Sequence, residues 1–391
     1  MFFMKLSLRD LDLSKKRVLM RVDFNVPLKD DGTIRDDTRI LMALPSIEYV
    51  LSHGASLVLM SHLGRPKGEV NMALSLAPCA NRLSELLGRK VKLIDPYFEA
   101  ENVRAGEVVL LENLRFHKGE EKPDRDPSFV NSLAKLGDIY VNDAFGTAHR
   151  SHASTTLVAR HFPGKSGMGF LMEKELSFLS QIVDVPERPF FAVLGGAKID
   201  SKIGVLSSLV RKVDALLIGG GMAFTFLKLR GVAIGESLHD ETMVERGRAF
   251  LKECEERSVQ VFLPKDIVIT NSRENRVVSD KEGVPPTWKG VDIGPRTLKE
   301  WKRGLSGAKT VFWNGPMGVF EVAAFAEGTQ HLAHELAALS ASVIVGGGDS
   351  VAAVNALHLE NRFAHISTGG GALLEYIEYG KLPGIEALTD R

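Results

Sequence analysis

Two lysines stand four residues apart behind a glycine pair in LGGAKIDSK, at Lys198 and Lys202. The apolar run FFAV precedes them, so the sequence predicts a strand, a glycine turn and a helix opening near Ala197. Both ammonium groups would then lie in the first helical turns, on one face. Cations there oppose the helix dipole, and like charges at this spacing repel by about 0.2–0.5 kcal/mol. Asp200 offsets only part of that. Two readings remain open: a solvated surface pair, or a pair whose missing negative charge comes from a polyanion. The turn matches neither the Walker spelling GxxxxGK[ST] nor the dinucleotide spelling GxGxxG.

Three GGG triplets, at 219–221, 346–348 and 369–371, join the turn at 195–196 in the second half of the chain. Each follows an apolar run directly, and so falls at the carboxyl end of an expected strand. That edge is where open α/β sheets bind ligands. Glycine admits close backbone approach, and the next helix offers free N–H groups to an anion. VGGGDS adds Asp349 and Ser350 at one such turn. Asp349 is open to two readings, an ordinary helix cap or a carboxylate facing Mg²⁺ beside phosphates.

The first half carries different chemistry at its strand exits. RVDFNVP places Asp23 and Asn25 on one face by the strand period of two. Arg39, His62, Arg65, Arg115 and Arg150 follow in DDTRI, SHLGRPKG, ENLRFHKGEE and NDAFGTAHRSH, with His149 and His152 beside the last. Arginine is the fork-shaped donor that suits phosphate and carboxylate. Any one of these could be a surface arginine. Together they suggest a basic pocket for a small phosphorylated acid, with Asp23 and Asn25 taking hydroxyls.

The elements that must position these residues are short apolar runs alternating with longer amphipathic stretches. The runs are 17–24, 55–62, 91–94, 107–114 and 138–145 in the first half. In the second they are 190–196, 214–221, 259–266, 310–315 and 341–348, followed by 363–371. Apolar on both faces and β-branched, they suit parallel strands covered by helices, hence a doubly wound α/β architecture. The 391 residues suggest two domains. GFLMEKELSFLSQIVDVPERP reads as a helix between them, ended by Pro186 and Pro189. Zero net charge gives no sign of a nucleic-acid or membrane-surface partner. Cys79 and Cys254 make neither a disulfide framework nor a zinc site. No apolar run approaches the about 20 residues of a membrane span, and the N-terminus lacks a signal-peptide core, so a cytoplasmic protein is expected.

RVDFNVP, SHLGRPKG, LLENLRFH, VNDAFGTAHRSH, LGGAKIDSKI, GGGMAFTFLK, DIGPRT, FWNGPMGVFE, GGGDS and STGGGA, in that order, resemble the phosphoglycerate kinase family over essentially the whole chain. The resemblance implies two Rossmann-like domains joined by a helix, with a cleft between them. Residues 1–170 would form the phosphoglycerate domain, with 376–391 returning to it. Residues 171–188 would be the joining helix and 189–375 the nucleotide domain. It implies reversible transfer of the acyl phosphate of 1,3-bisphosphoglycerate to ADP, giving 3-phosphoglycerate and ATP, with Mg²⁺ and as a monomer. Asp23, Phe24, Asn25, Arg39, His62, Leu63, Gly64, Arg65, Arg115 and Arg150 would bind the phosphoglycerate. Lys202, Gly219, Gly220, Gly294, Asn314, Pro316, Glu321, Gly347, Gly348, Asp349 and Ser350 would bind the nucleotide, Asp349 serving Mg²⁺. Arg39, Lys198, Gly348 and Gly371 would face the transferring group. Ser350 replaces the family's commoner threonine and keeps the hydroxyl.

For this reaction no general base is required, because the acceptor carboxylate is ionised at neutral pH, with a reference pKa of about 3.3–3.7. Alignment and charge neutralisation carry the catalysis. Ligands held on separate domains imply closure about the 171–188 helix. A nicotinamide dehydrogenase would need a GxGxxG turn with an acidic residue about 20 positions on, and neither half opens with one. A catalytically silent binding protein of the same fold is the remaining alternative.

Overall fold

The computed structural model describes residues 5–197, 199–200 and 202–391. They form two compact units. One runs up to Ser177 and takes in Lys381–Arg391; the other is Phe178–Gly380.

The first unit is built on six strands: β1 Arg17–Arg21, β2 Ser56–Met60, β3 Val91–Ile94, β4 Val108–Leu111, β5 Ile139–Asn142 and β6 Ser166–Met168. Their order is β3-β4-β2-β1-β5-β6, and every pairing is parallel. β2, β4 and β5 are buried at every position, as a sheet covered on both faces requires. The helix Thr38–Ser52 buries Ile40, Ala43, Ile47 and Val50, one stripe at helical spacing, and packs into a core with Val18, Met20, Leu57 and Leu59. The tail returns here: Leu6 N–H donates to the Thr389 carbonyl at 2.9 Å, and Lys5 pairs with Asp390 at 2.8 Å.

The helix Phe170–Val183 begins where buried Asp143 accepts from the N–H groups of Leu171 (2.9 Å) and Met172 (3.1 Å). These bonds satisfy donors a helix start leaves free. It ends at Val183, short of the expected 188. Val185 precedes Pro186, a position that disfavours helix, and is 83% exposed, so nothing holds a further turn.

The second unit holds β7 Phe190–Leu194, β8 Ala215–Ile218, β9 Gln260–Phe262, β10 Asp266–Thr270, β11 Asn275–Ser279, β12 Lys289–Ile293, β13 Thr310–Asn314, β14 Ser342–Gly346 and β15 His365–Ile366. Six of these form a parallel sheet in the order β15-β14-β13-β7-β8-β9. Val193, Leu217, Val311, Trp313 and Val345 share a core with Trp301, Leu332 and Leu336 from helices. β11-β10-β12 form a separate antiparallel sheet that the sequence reading did not contain. The helix Gly371–Tyr379 belongs to this unit and is tied to it by Ser208 Oγ donating to the Ile377 carbonyl at 2.8 Å. Among the described residues no helix is long and apolar enough to cross a membrane.

The fold class is thus α/β with two doubly wound parallel sheets. In each, the strand order turns back once. From β1 the chain goes to β2 on one side, and β5 later pairs on the other. From β7 it goes to β8, and β13 later pairs on the other side. Crevices open beyond the carboxyl ends of strands at such switch points.

Candidate functional site

The first unit gathers the predicted basic residues around the β1/β5 switch. Asp23, two residues past β1, is buried and forms an ion pair with Arg39 from the first turn of the helix Thr38–Ser52. Burial acts to raise the Asp23 pKa, but the charges of Arg39 and Arg21 hold it below the ordinary carboxylate value. Its charge therefore persists at neutral pH. His62, past β2, is buried with Nδ1 3.8 Å from Asp23 Oδ1.

The loop after β2 is braced from its neighbours. Gly64 N–H donates to Asn25 Oδ1 at 2.9 Å, and Arg115 Nη1 donates to the Gly64 carbonyl at 2.7 Å. Asn113, beside Arg115, donates to the Leu63 carbonyl at 2.7 Å, and Phe24 N–H donates to Ser61 Oγ at 2.8 Å. Asp23 and Asn25 were expected to take substrate hydroxyls. Here the Asp23 carboxylate holds Arg39 and the Asn25 carbonyl holds the glycine loop. Arg115 is buried, while Arg65 is exposed and Arg150 half-buried. Arg150 lies close enough to Arg115, His149 and His152 to lower the pKa of each.

The histidines are neutral in this setting. Burial first, then the arginines, lower His62 well below the ordinary value. Burial and Arg150 bring His149 to about 4; burial and Arg115 bring His152 to about 3. Of these groups the arginines, not the histidines, carry the positive charge. Sequence reasoning missed Arg21, Glu120 and Ser154. All three are buried under this site and hydrogen-bonded in series, and none stood out among the charged and polar residues of its segment.

In the second unit the glycine turns lock to one another. Gly195 N–H donates to the Asn314 carbonyl at 2.9 Å, Gly196 N–H to Pro316 at 2.9 Å and Gly220 N–H to Met317 at 3.1 Å. Gly220 has φ +65°, and a Cβ there would lie 2.8 Å from the Gly196 carbonyl oxygen, so only glycine fits. Gly347 has φ +90°, with Asn314 Nδ2 2.7 Å from where a Cβ would stand.

Lys202 reaches back into these turns. Its Nζ donates to the carbonyls of Gly195 at 2.6 Å and Asn314 at 3.3 Å. Burial lowers its pKa to about 8, with Asp349 opposing. The helix expected near Ala197 in fact begins at Ile203, with Lys202 at its N-cap position. Ile199 turns into the core, 1% exposed, and the Lys202 ammonium turns to carbonyls ahead of that helix start. Lys198 lies outside the described residues.

Beside these turns is a cavity of about 260 Å³. Of the predicted nucleotide residues, Gly220, Pro316, Glu321 and Asp349 line it. Phe224, Ile267 and Met317 supply an apolar wall that sequence reasoning did not single out. Phe224 and Met317 stood in the quoted motifs, but apolar side chains there read as core. Gly219 packs on Met317 and Trp301, and Gly294 caps the helix Pro295–Leu305; neither lines the cavity. Asn314 is buried with Nδ2 unpartnered, and Ser350 Oγ accepts from Gly315 N–H at 2.6 Å. Gly348 and Gly371 each open a helix, Gly348–Ala356 and Gly371–Tyr379, which places free N–H groups at the sheet's carboxyl edge. Asp349 is exposed in the first of those turns. Among the described residues no three His, Cys, Asp or Glu side chains cluster to hold a metal ion unaided.

The family model described as phosphoglycerate kinase matches residues 8–381. A phosphoglycerate kinase of Moorella thermoacetica is 51% identical over 99% of this chain and 100% of its own length. One from Thermosipho africanus is 48% identical over 99% of this chain and 98% of its own. Among solved structures, phosphoglycerate kinase from Coxiella burnetii superposes with a TM-score of 0.90 at 39% identity, covering 98% of both chains.

Proposed function

The chain belongs to the phosphoglycerate kinase family, and on that premise we propose that it transfers a phosphoryl group reversibly between 1,3-bisphosphoglycerate and ADP, giving 3-phosphoglycerate and ATP. It is a phosphotransferase with a carboxyl group as acceptor. The observation that carries this reading is the division of chemistry. One parallel sheet presents arginines with neutral histidines at its switch point, and the other presents a glycine-floored cavity with an apolar wall. The first suits a small acid phosphate. The second suits a purine with its phosphates toward the glycine turns and helix starts. A coupled assay for ATP formation from 1,3-bisphosphoglycerate and ADP tests it. No turnover with intact binding of both ligands would favour a silent binding protein instead.

In this reading Arg39, Arg65, Arg115 and Arg150 hold the phosphoglycerate, and the Asp23 carboxylate keeps Arg39 in place. No residue removes a proton, since the acceptor oxygen is already anionic. Lys198 and Arg39 face the group in transfer, and Lys202 leaves its carbonyls for the nucleotide phosphates. Asp349, exposed on a cavity that Glu321 also lines, fits Mg²⁺, which keeps several waters and binds through one or two carboxylates plus phosphates. Bound there, the ion would neutralise phosphate charge. The protein would act in the cytoplasm as a monomer on small molecules.

The two ligand surfaces lie on separate units, while reacting atoms must come within about 3–3.5 Å. The reading therefore includes approach of the units when both ligands are bound, which also expels water from the acyl phosphate. Solution scattering is expected to show a smaller radius of gyration with 3-phosphoglycerate and a non-hydrolysable ATP analogue together. An unchanged radius would refute the approach.

Lys202 gives a pH dependence of known sign. Its pKa falls from 10.5 to about 8 in the folded chain. Bound phosphates restore the charged form, so binding takes up a proton above about pH 8. Nucleotide affinity is expected to fall by up to about tenfold per pH unit above that point. The same shift makes stability rise with pH between about 8 and 10.5, where the unfolded chain binds more protons. Calorimetric Kd values from pH 7 to 9.5 check this. Lys202→Met is expected to bind weakly and without that slope; an unchanged slope would assign the titration elsewhere.

A further inference from the structure

We propose that Glu120 is a positioning residue for the phosphoglycerate site, acting through Ser154 and Arg21 to fix His62 as the Nε2–H tautomer. The inference rests on the functional reading above. None of the steps derived there uses Glu120 or Ser154.

Glu120 lies in the short helix Lys118–Glu121 and is fully buried. A buried carboxylate is costly unless hydrogen-bonded. Its oxygens accept from Ser154 N–H at 3.1 Å and Ser154 Oγ at 2.7 Å. His152 Nδ1, at 3.9 Å, is beyond hydrogen-bond reach. Ser154 Oγ also lies 2.8 Å from Arg21 Nε. Arginine only donates, so this hydroxyl accepts from Arg21 and its single proton goes to Glu120. Arg21, 1% exposed, bonds the Val22 carbonyl through Nη1 and lies 3.1 Å from His62 Nδ1 through Nη2. Again the guanidinium donates, so Nδ1 is the acceptor and the imidazole proton sits on Nε2. Asp23 Oδ1, 3.8 Å from Nδ1, does not compete for that nitrogen.

Every hydrogen in the series has one direction. Glu120 orients Ser154, Ser154 orients Arg21, and Arg21 leaves His62 with a donor on its other nitrogen. A donor is what the oxygens of an acid phosphate require. The opposite tautomer would present a lone pair to them.

The test uses the full chain labelled with ¹⁵N, with His62→Gln to assign the signal. Long-range proton–nitrogen spectra are expected to show His62 in the Nε2–H form, and to show both tautomers in Glu120→Gln and in Ser154→Ala. In both variants the KM for 3-phosphoglycerate is expected to rise about tenfold, equivalent to about 1.4 kcal/mol, with kcat and the KM for ATP held. Glu120→Asp should recover part of the loss. The double variant should be no worse than either single one, because both break one series. If Glu120→Gln does not fold, Ser154→Ala carries the test. A single unchanged tautomer in the folded variants overturns the proposal whatever KM does, and so does an unchanged KM. The tautomer is readable without turnover. A wild-type chain lacking kinase activity would therefore remove the functional reading while the spectra still decide the series.

Discussion

Replacing Lys198 with alanine is expected to lower kcat by about 10²–10³, the effect of removing one aimed group from a site of developing charge. The nucleotide Kd is expected to stay within about threefold, because the main partner of this ammonium is charge that appears during transfer. The family resemblance puts Lys198 at that position, and Lys202 is ill placed to substitute for it. The Lys202 ammonium is held by the Gly195 and Asn314 carbonyls and is shifted toward its neutral form. Lys198→Arg should recover part of kcat, since the charge returns with a different reach. Titration calorimetry with ATP and steady-state rates for the same preparations check both arms. Equal losses in kcat and in nucleotide affinity would make Lys198 a ground-state ligand and end its proposed role.

What the sequence made legible follows from where the burial lies. The strands of both parallel sheets read as short apolar runs because they are covered on two faces, β2 and β13 at every position. β6 was missed because SGM has no apolar run to show. β11 was missed because its first three positions are exposed, with Arg276 lying over Trp288 in place of core packing. At the sites, glycine turns and arginines at strand ends were visible as types that need a reason. Their supports were not. Glu120 in KGEEK reads as one charge among several, and only the packed fold turns it inward toward Ser154, 34 positions on. Phe224 and Met317 failed for the opposite reason. A cavity wall and a core wall use the same residues, and only the shape of the space between them distinguishes the two. The start of the helix after Gly196 was misplaced because local pattern gave no weight to carbonyls from β13, to which Lys202 is drawn.

Arg39→Ala is expected to lower kcat/KM by about 10²–10³ and, separately, to destabilise the fold in a pH-dependent way. The two effects come from the two partners of one guanidinium. In its proposed role toward the ligand, Arg39 supplies a planar fork that alanine lacks, which sets the expected loss of rate. Toward the protein, it is the foremost of the charges holding the buried Asp23 carboxylate ionised against the pull of burial. Leaving that carboxylate unpaired costs about 1–3 kcal/mol, toward the lower end because the Arg39 side chain is 33% exposed and solvent screens the pair. The sign with pH follows from Asp23. Its folded pKa is lowered, so the pair stabilises the chain above the unfolded carboxylate value of about 3.9 and ceases to do so as pH falls through the folded one. The gap in Tm between wild type and Arg39→Ala should therefore be wide at pH 7 and narrow on going below about pH 4. Arg39→Lys should restore most of the stability and little of the rate, since a point charge satisfies Asp23 but does not reproduce the fork. Asp23→Asn combined with Arg39→Ala removes the orphaned charge. That double variant should regain stability over Arg39→Ala at neutral pH while remaining as inactive. A Tm gap independent of pH would sever the link to Asp23, and activity returning together with stability in the double variant would mean that Arg39 serves the fold rather than the reaction.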